Sequence, residues 1–225
     1  CRKVTVVEVE IKLQVPPTVS GGPAAVFARL ADEERLAGYE LGPVRTIQLR
    51  DTYFDTDQGA LAAARSCLRL RHENGLTLVT LKVTREQVGA LAARSEFEVP
   101  LDPESLTRLL DQIRLLIGPV RVPFAAFAAG RPAGPLLPVL DVHTERLARS
   151  VGQVATLTLD RVTYPGLAPE PYYDIEIEAA PEMSDVAVLR ALEADLQRLF
   201  DGRLLPSSQS KLERGLRLRT YGEWA

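Results

Sequence analysis

Charged side chains recur at every second position in several strand-like segments of this 225-residue chain, with large apolar residues between them. The repeated sets are Glu8, Glu10 and Lys12; Arg69 and Arg71; Glu96 and Glu98; and Glu176 and Glu178. Because successive side chains of a strand point to opposite faces, each charged set shares one face and its apolar neighbours share the other. One such pair is typical of an ordinary solvated sheet face, but this repetition predicts sheet faces that concentrate charge.

Alternation and turn residues predict a series of antiparallel strands, and apolar stripes at helical spacing predict helices. The predicted strands cover residues 4–15, 45–54, 67–72, 76–83, 95–99, 139–150, 154–164 and 172–179, and the predicted helices cover residues 23–38, 103–117, 184–200 and 208–221. Asn74-Gly75 is the signal of a tight hairpin between two of the strands. Residues 118–138 are rich in Gly, Pro and Ala, which predicts a connector with one short helix at 122–129.

A barrel would reconcile the charged faces with the amphipathic helices. If the strands close on themselves, the helices cover the apolar residues from outside and the charged sets line the interior. Unpaired charge in a confined space is costly, so the acids are expected to bind metal cations and the bases a polyanion. A purely structural barrel would be filled with apolar residues instead.

Composition narrows the class of protein. The formal net charge is −3, so the bulk charge does not predict a nucleic-acid partner, and no apolar run is long enough to predict a membrane span. Two cysteines, Cys1 and Cys67, fit a reducing compartment, and the cytoplasm is the expected location. With only His72 and His143 present, any metal is expected to be a hard ion held by carboxylates. We expect one domain, residues 1–225; the start at Cys1 is open to trimming, to processing or to an offset in numbering.

A series of motifs in this order resembles the CYTH, or triphosphate tunnel metalloenzyme, superfamily. Glu8-Val9-Glu10-Ile11-Lys12 looks like its ExExK signature. The supporting motifs are Asp51-Thr52-Tyr53-Phe54-Asp55-Thr56, Leu68-Arg69-Leu70-Arg71, Thr80-Leu81-Lys82, Glu96-x-Glu98, Arg146, Asp160, Glu176-x-Glu178 and Ser210-Lys211. The resemblance spans essentially the whole chain and implies an α+β fold with a closed eight-stranded antiparallel β-barrel and flanking helices.

The resemblance also implies roles for individual residues. Those similar to the family's phosphate-binding bases are Lys12, Arg69, Arg71, Lys82, Arg146 and Lys211; those similar to its Mg²⁺- or Mn²⁺-binding acids are Glu8, Glu10, Asp160, Glu176 and Glu178. Glu8, Glu10 and Lys12 form the signature on which catalysis is expected to depend. Glu96 and Glu98 are expected to line the same tunnel. Arg149 has the opposite strand parity to Arg146, so a packing or solvent-facing role is expected, and Arg214, Arg217 and Arg219 are expected on a solvated face.

The implied function is metal-dependent hydrolysis of a linear triphosphate by water that attacks the terminal phosphate; the simplest substrate is inorganic tripolyphosphate, with nucleoside triphosphates as poorer alternatives. No nucleophile triad or P-loop occurs in the sequence. Class IV adenylate cyclases share the fold, but their frequent His-Phe before the ExExK strand is absent. Members specialised for thiamine triphosphate carry a bulky aromatic residue where this chain has Cys67. A non-catalytic polyphosphate- or nucleotide-binding module is the alternative outside enzymes. The sequence leaves dimerisation open and gives no reason to expect a nucleic-acid or membrane partner.

Overall fold

The computed structural model describes residues 5–181 and 186–222, so Cys1 and Ser184 lie outside the described residues. Its strands are β1 (Thr5–Gln14), β2 (Arg35–Leu36), β3 (Tyr39–Glu40), β4 (Arg45–Asp55), β5 (Ser66–Glu73), β6 (Leu76–Val88), β7 (Leu91–Pro100), β8 (Leu137–Val151), β9 (Ala155–Thr163), β10 (Tyr172–Ala179) and β11 (Leu205–Pro206). Its helices are α1 (Pro23–Asp32), α2 (Ala60–Ala63), α3 (Pro103–Ile117), α4 (Phe124–Ala128), α5 (Val186–Leu199) and α6 (Lys211–Gly222). None of these helices has both the length and the apolar composition needed to cross a membrane.

Eight strands close into an antiparallel barrel, as the resemblance implied. Their order is β10-β9-β8-β4-β5-β6-β7-β1, and pairing of β1 with β10 completes the circle. The register of that last pair places Glu10 opposite Glu178 and Lys12 opposite Glu176. The predicted hairpin at Asn74-Gly75 joins β5 to β6, and both of its residues have positive φ, as a tight hairpin turn requires.

The apolar core lies mainly outside the barrel wall, under the helices. One cluster packs α1 and α5 on β1, β9 and β10, and its members include Ile11, Ile177 and Leu192. A second packs α3 and α4 on β5, β6 and β7. A third, around Tyr53 and Tyr164, lies beneath α6. The opposite faces of the same strands are left to the charged residues, which is the division that the alternating sequence predicts.

The first helix is shorter than the sequence predicts, because an interaction distant in sequence ends it. Helix α1 stops at Asp32, and β2 and β3 form a separate hairpin with Gly38 at positive φ. Arg149 reaches across from β8 and donates hydrogen bonds to the carbonyls of Leu30, Ala31 and Glu33, which lie at the end of the helix. Arg149 is therefore buried in a packing role, one of the two roles expected for it.

Helix α2 has no counterpart among the predicted elements. The Asp55 carboxylate accepts hydrogen bonds from the backbone amides of Leu61 and Ala62, which satisfies donors in the first turn of the helix. Because Asp55 ends β4, this capping fixes α2 at the start of β5, at one end of the barrel.

Candidate functional site

A cavity of about 650 Å³ lies within the barrel, and we call it the tunnel. Its lining includes Arg65, just before β5, and Glu73, the last residue of β5. Of the site residues predicted from the sequence, those that line it are Glu8, Glu10, Lys12, Arg69, Arg71, Lys82, Glu96, Glu98, Arg146, Glu176, Glu178 and Lys211. Asp160 is fully buried behind Arg146 and does not line the tunnel.

The two signs of charge balance within the tunnel. Among the described residues, the basic lining side chains are eight, namely Lys12, Arg65, Arg69, Arg71, Lys82, Arg94, Arg146 and Lys211. The acidic ones are also eight, namely Glu8, Glu10, Glu73, Glu96, Glu98, Glu176, Glu178 and Glu213. A tunnel built for a bare polyanion would carry an excess of bases, so this balance leaves room for an anion together with cations.

Glu176 is the centre of a buried ionic cluster. Its Oε1 lies 2.8 Å from the Nζ atoms of both Lys12 and Lys211, and its Oε2 accepts from Nη2 of Arg146 at 3.1 Å. Burial alone would raise the pKa of the Glu176 carboxyl, but the charges of Lys12, Lys211 and Arg146 outweigh it and hold that pKa well below its usual range. Glu176 therefore stays ionised and keeps three bases together in one layer of the tunnel.

Asp160 orients Arg146 from behind. The Arg146 Nε and Nη2 atoms each donate to one oxygen of Asp160 at 2.7 Å, and Lys211 Nζ lies 2.8 Å from Oδ2. Burial opposes ionisation of Asp160, yet the charges of Arg146 and Lys211 keep its pKa below the ordinary value. Such a bidentate pair fixes the plane of the guanidinium, so Arg146 is presented to the tunnel in one orientation.

A second basic group lies on β5 and is held by a residue that the sequence did not single out for the site. Arg71 donates through Nε and Nη2 to the two oxygens of the buried Asp51, at 2.7 and 2.8 Å. Arg69 Nη1 lies 3.7 Å from the same carboxylate, and Arg69 Nη2 lies 3.4 Å from Glu98 Oε2. Arg69 Nε is buried and has no hydrogen-bond partner among the described residues, so a donor for an anion is left free.

The remaining acids form a group at the β1–β10 seam. Glu8 accepts from Lys82 at 2.7 Å, and Glu10 is paired with Arg94, whereas Glu178 forms no ion pair in the described part of the chain. Partial burial and the charges of Glu8 and Glu10 raise the pKa of the Glu178 carboxyl to about 7. Three carboxylates that repel one another in a tunnel are stabilised by a cation.

This acid group is not yet arranged around a metal. Among the described residues, no three carboxyl, imidazole or thiol groups are placed to hold a metal ion together. Glu8 is paired with Lys82 and Glu10 with Arg94 instead. The donor set itself fits a hard divalent cation, since it consists of carboxylate oxygens whose mutual repulsion a cation would relieve.

Arg94 is a tunnel residue that the sequence analysis missed. It pairs with Glu10, and burial, which opposes its charge, is outweighed by Glu10 and Glu8, so the pKa of its guanidinium is raised. The signal was available, because Arg94, Glu96 and Glu98 alternate on β7 and therefore share a face. Arg214 was predicted on a solvated face, which is wrong for this residue: it is 4% exposed and paired with Asp174, while Arg217 and Arg219 are exposed.

Replacing Arg94 with Met is expected to tighten binding of a divalent cation to the ligand-free protein. The change frees Glu10 from its partner and leaves an additional net negative charge beside Glu8 and Glu178. We expect a severalfold lower Kd for Mn²⁺ by calorimetry. The control is Arg85→Met, on the exposed part of β6 outside the tunnel lining. Weaker Mn²⁺ binding in Arg94→Met would show that Glu10 does not contact the cation.

Comparisons with known proteins agree with this fold. A match to the CYTH domain covers residues 7–216. A Hippeastrum protein, described as an adenylyl cyclase candidate with a dominant triphosphatase activity, superposes with a TM-score of 0.69 at 20% identity, over 93% of this chain and 95% of that chain. An adenylate cyclase candidate from Bacillus halodurans superposes with a TM-score of 0.57 at 21% identity, over 94% of this chain and 97% of that chain. A Pyrococcus horikoshii protein superposes with a TM-score of 0.57 at 23% identity, over 93% of this chain and 98% of that chain. A comparison with curated proteins gives no match.

Proposed function

Because the chain belongs to the CYTH domain family, we propose that it is a divalent-metal-dependent triphosphatase that hydrolyses a linear triphosphate, inorganic tripolyphosphate above all, inside its tunnel. The observation that carries the proposal is the presence of a complete acidic group beside the basic groups within one cavity. Binding an anion requires only bases, so the acids indicate a second, cationic ligand. The triphosphatase activity described for the Hippeastrum protein, which shares the fold, supports the proposal of a triphosphatase.

Two groups of basic residues bind the phosphates. Arg146, Lys12 and Lys211 converge on one layer of the tunnel, and Arg69 and Arg71 form a second group on β5. Each guanidinium is held from behind by a buried aspartate, Asp160 or Asp51, so it enters the reaction already oriented. Such fixed cations stabilise the charge that spreads over the transferred phosphoryl group without needing to reorganise.

Glu8, Glu10 and Glu178 are the residues that we assign to hold Mg²⁺ or Mn²⁺. Asp160 and Glu176 are engaged with bases, so they become available to a cation only where the triphosphate draws those bases away. When bound, the cation neutralises charge on the phosphate oxygens and lowers the pKa of the water that attacks the terminal phosphorus. Glu96 and Glu98 contact Lys82 and Arg69, and we assign them to positioning those bases.

Substrate choice is tested by the products released from three triphosphates. We expect orthophosphate, released fastest from tripolyphosphate and more slowly from ATP and thiamine triphosphate, with no cyclic AMP. Cys67 lines the tunnel at the position where family members specialised for thiamine triphosphate carry a bulky aromatic residue. Cyclic AMP with pyrophosphate from ATP would instead identify a cyclase. Tight binding without turnover of any of the three would identify a non-catalytic module.

Metal affinity is expected to rise with pH up to about 7 and to level off above it. Glu178 binds the cation only as a carboxylate, and its pKa in the ligand-free protein is about 7, so binding below that pH must displace a proton. Calorimetry with Mn²⁺ at pH 5.5, 7 and 8 measures the change, and the number of protons released at pH 6 gives an independent value. An affinity that does not change over this range would remove Glu178 from the ligand set.

A further inference from the structure

A second buried ion pair lies outside the tunnel and links α6 to β10, the two elements that carry Lys211 and Glu176. Arg214 of α6 donates to both oxygens of Asp174 on β10, at 2.8 and 2.9 Å. Asp174 is 0% and Arg214 4% exposed, and neither residue lines the tunnel. The Arg214 guanidinium also lies 4.9 Å from the centre of the Tyr172 ring. A pair so deeply buried and so fully bonded has a defined geometry.

This pair stands beside the contact that brings Lys211 into the tunnel. Lys211 and Arg214 are three positions apart in the sequence, so they share a face of α6. Asp174 and Glu176 are two positions apart, so they share a face of β10. Lys211 binds Glu176 and Arg214 binds Asp174, which makes two parallel links between one helix and one strand.

Helix α6 is also held on the barrel by apolar packing and by a hydrogen bond that the Tyr164 hydroxyl donates to the carbonyl of Lys211 at 3.0 Å. Its apolar contacts come from Leu212, Leu216 and Leu218. Arg217, Arg219 and Thr220 are exposed. At Gly215 the helix lies so close to the barrel that a Cβ atom would stand 2.4 Å from Leu140 Cδ2. The Arg214–Asp174 pair adds a bidentate polar link to this packing, and a rotation of α6 about its axis would turn Arg214 away from Asp174 and Lys211 away from the tunnel.

We infer that Arg214 is a positioning residue, which fixes the rotation of α6 through Asp174 and thereby holds the Lys211 ammonium in the tunnel. Arg214 touches no substrate in this account and acts only through Lys211. The inference rests on the proposed function for its kinetic readout alone, because the position of Lys211 is measured without any turnover.

Chemical labelling of amines tests the position of Lys211 directly. Lys211 is 8% exposed in the intact protein, so acetic anhydride should acetylate it slowly. In Arg214→Met we expect its labelling, followed by mass spectrometry, to accelerate at least fivefold, while Lys82 in the same tunnel keeps its rate. The matched control is Arg217→Met, which removes an exposed arginine from the same helix. Protection of Lys211 in Arg214→Met equal to that in the control would overturn the inference.

A double-mutant cycle tests whether Arg214 acts through Lys211. With tripolyphosphate and Mn²⁺, we expect Arg214→Met to raise KM about tenfold with a small effect on kcat, and to add less than twofold when Lys211 is already Ala. Effects that multiply in the double variant would contradict an action through Lys211. If Arg214→Met does not fold, the same cycle and labelling are run with Arg214→Lys, which keeps the charge but loses the bidentate contact. Smaller changes are then expected. No turnover by the wild-type protein would contradict the proposed function, and the labelling result would still decide the role of Arg214.

Discussion

Glu178→Gln is expected to lower metal-dependent turnover at least a hundredfold while making the ligand-free protein more stable. The loss follows from removing a carboxylate that we assign to the cation. The gain follows from the ligand-free tunnel, where Glu178 has no basic partner in the described part of the chain and faces the charges of Glu8 and Glu10.

The pKa of Glu178 determines how the gain in stability depends on pH. The pKa of Glu178 is about 7 in the folded protein, above the model-peptide value for Glu, so its ionised form destabilises the fold above pH 7 and this cost fades as the pH falls. Because the side chain is partly exposed and its charge is screened, the expected gain at pH 8 is about 1 kcal/mol, or ~3 °C in Tm. At pH 5.5 the gain should be smaller.

Calorimetric unfolding without metal, together with phosphate release in Mn²⁺, checks both effects on one preparation. Glu145→Gln is the matched control, because Glu145 is exposed on the outer face of β8 and should change neither quantity appreciably. A lower Tm for Glu178→Gln at pH 8, or turnover equal to wild type, would contradict the assignment of Glu178.

Arg146→Met is expected to lower kcat by about 10²–10³ and to destabilise the fold by about 3 kcal/mol. Arg146 is held by Asp160 and Glu176, so it is oriented to meet charge that develops on a phosphoryl group. Its loss leaves the fully buried Asp160 with Lys211 as its one remaining ion-pair partner among the described residues. Arg146→Lys, which keeps a charge and loses the fork, should lose less stability and retain more activity.

Steady-state kinetics and urea unfolding separate the two parts of this prediction. Arg161→Met supplies the control, since Arg161 lies on the outside of the neighbouring strand and pairs with the exposed Glu145. If Arg146→Met keeps wild-type kcat while its stability falls, Arg146 has a structural role only.

The charged interior was predictable because strand alternation is a local property. Glu8, Glu10 and Lys12 alternate with apolar residues, so any pairing that buries the apolar face brings those three to the other face together. The same argument holds for Arg69 and Arg71, and for Glu176 and Glu178. Strand periodicity does not reveal which strands meet, and the closing pair of β1 with β10 was implied only by the family resemblance.

The partners of each charge could not be read from the sequence, because they depend on register and on how helices dock. Asp51 was visible as part of a motif, but its bidentate bond to Arg71 requires the alignment of β4 with β5. Arg214 was misplaced because α6 has charged residues around most of its circumference, which hides its buried face. Its spacing of three from Lys211 was the one local indication that the two residues share a side.

The most direct test of the tunnel as a catalytic site is orthophosphate release from tripolyphosphate by the intact protein, in Mg²⁺ or Mn²⁺ and again in excess EDTA. Glu10→Gln should be run beside the wild-type protein, with Glu145→Gln as the control. We predict rapid release by the wild type and the control that EDTA abolishes, and at least a hundredfold less release by Glu10→Gln. Release that persists in EDTA, or equal rates for wild type and Glu10→Gln, would contradict the account.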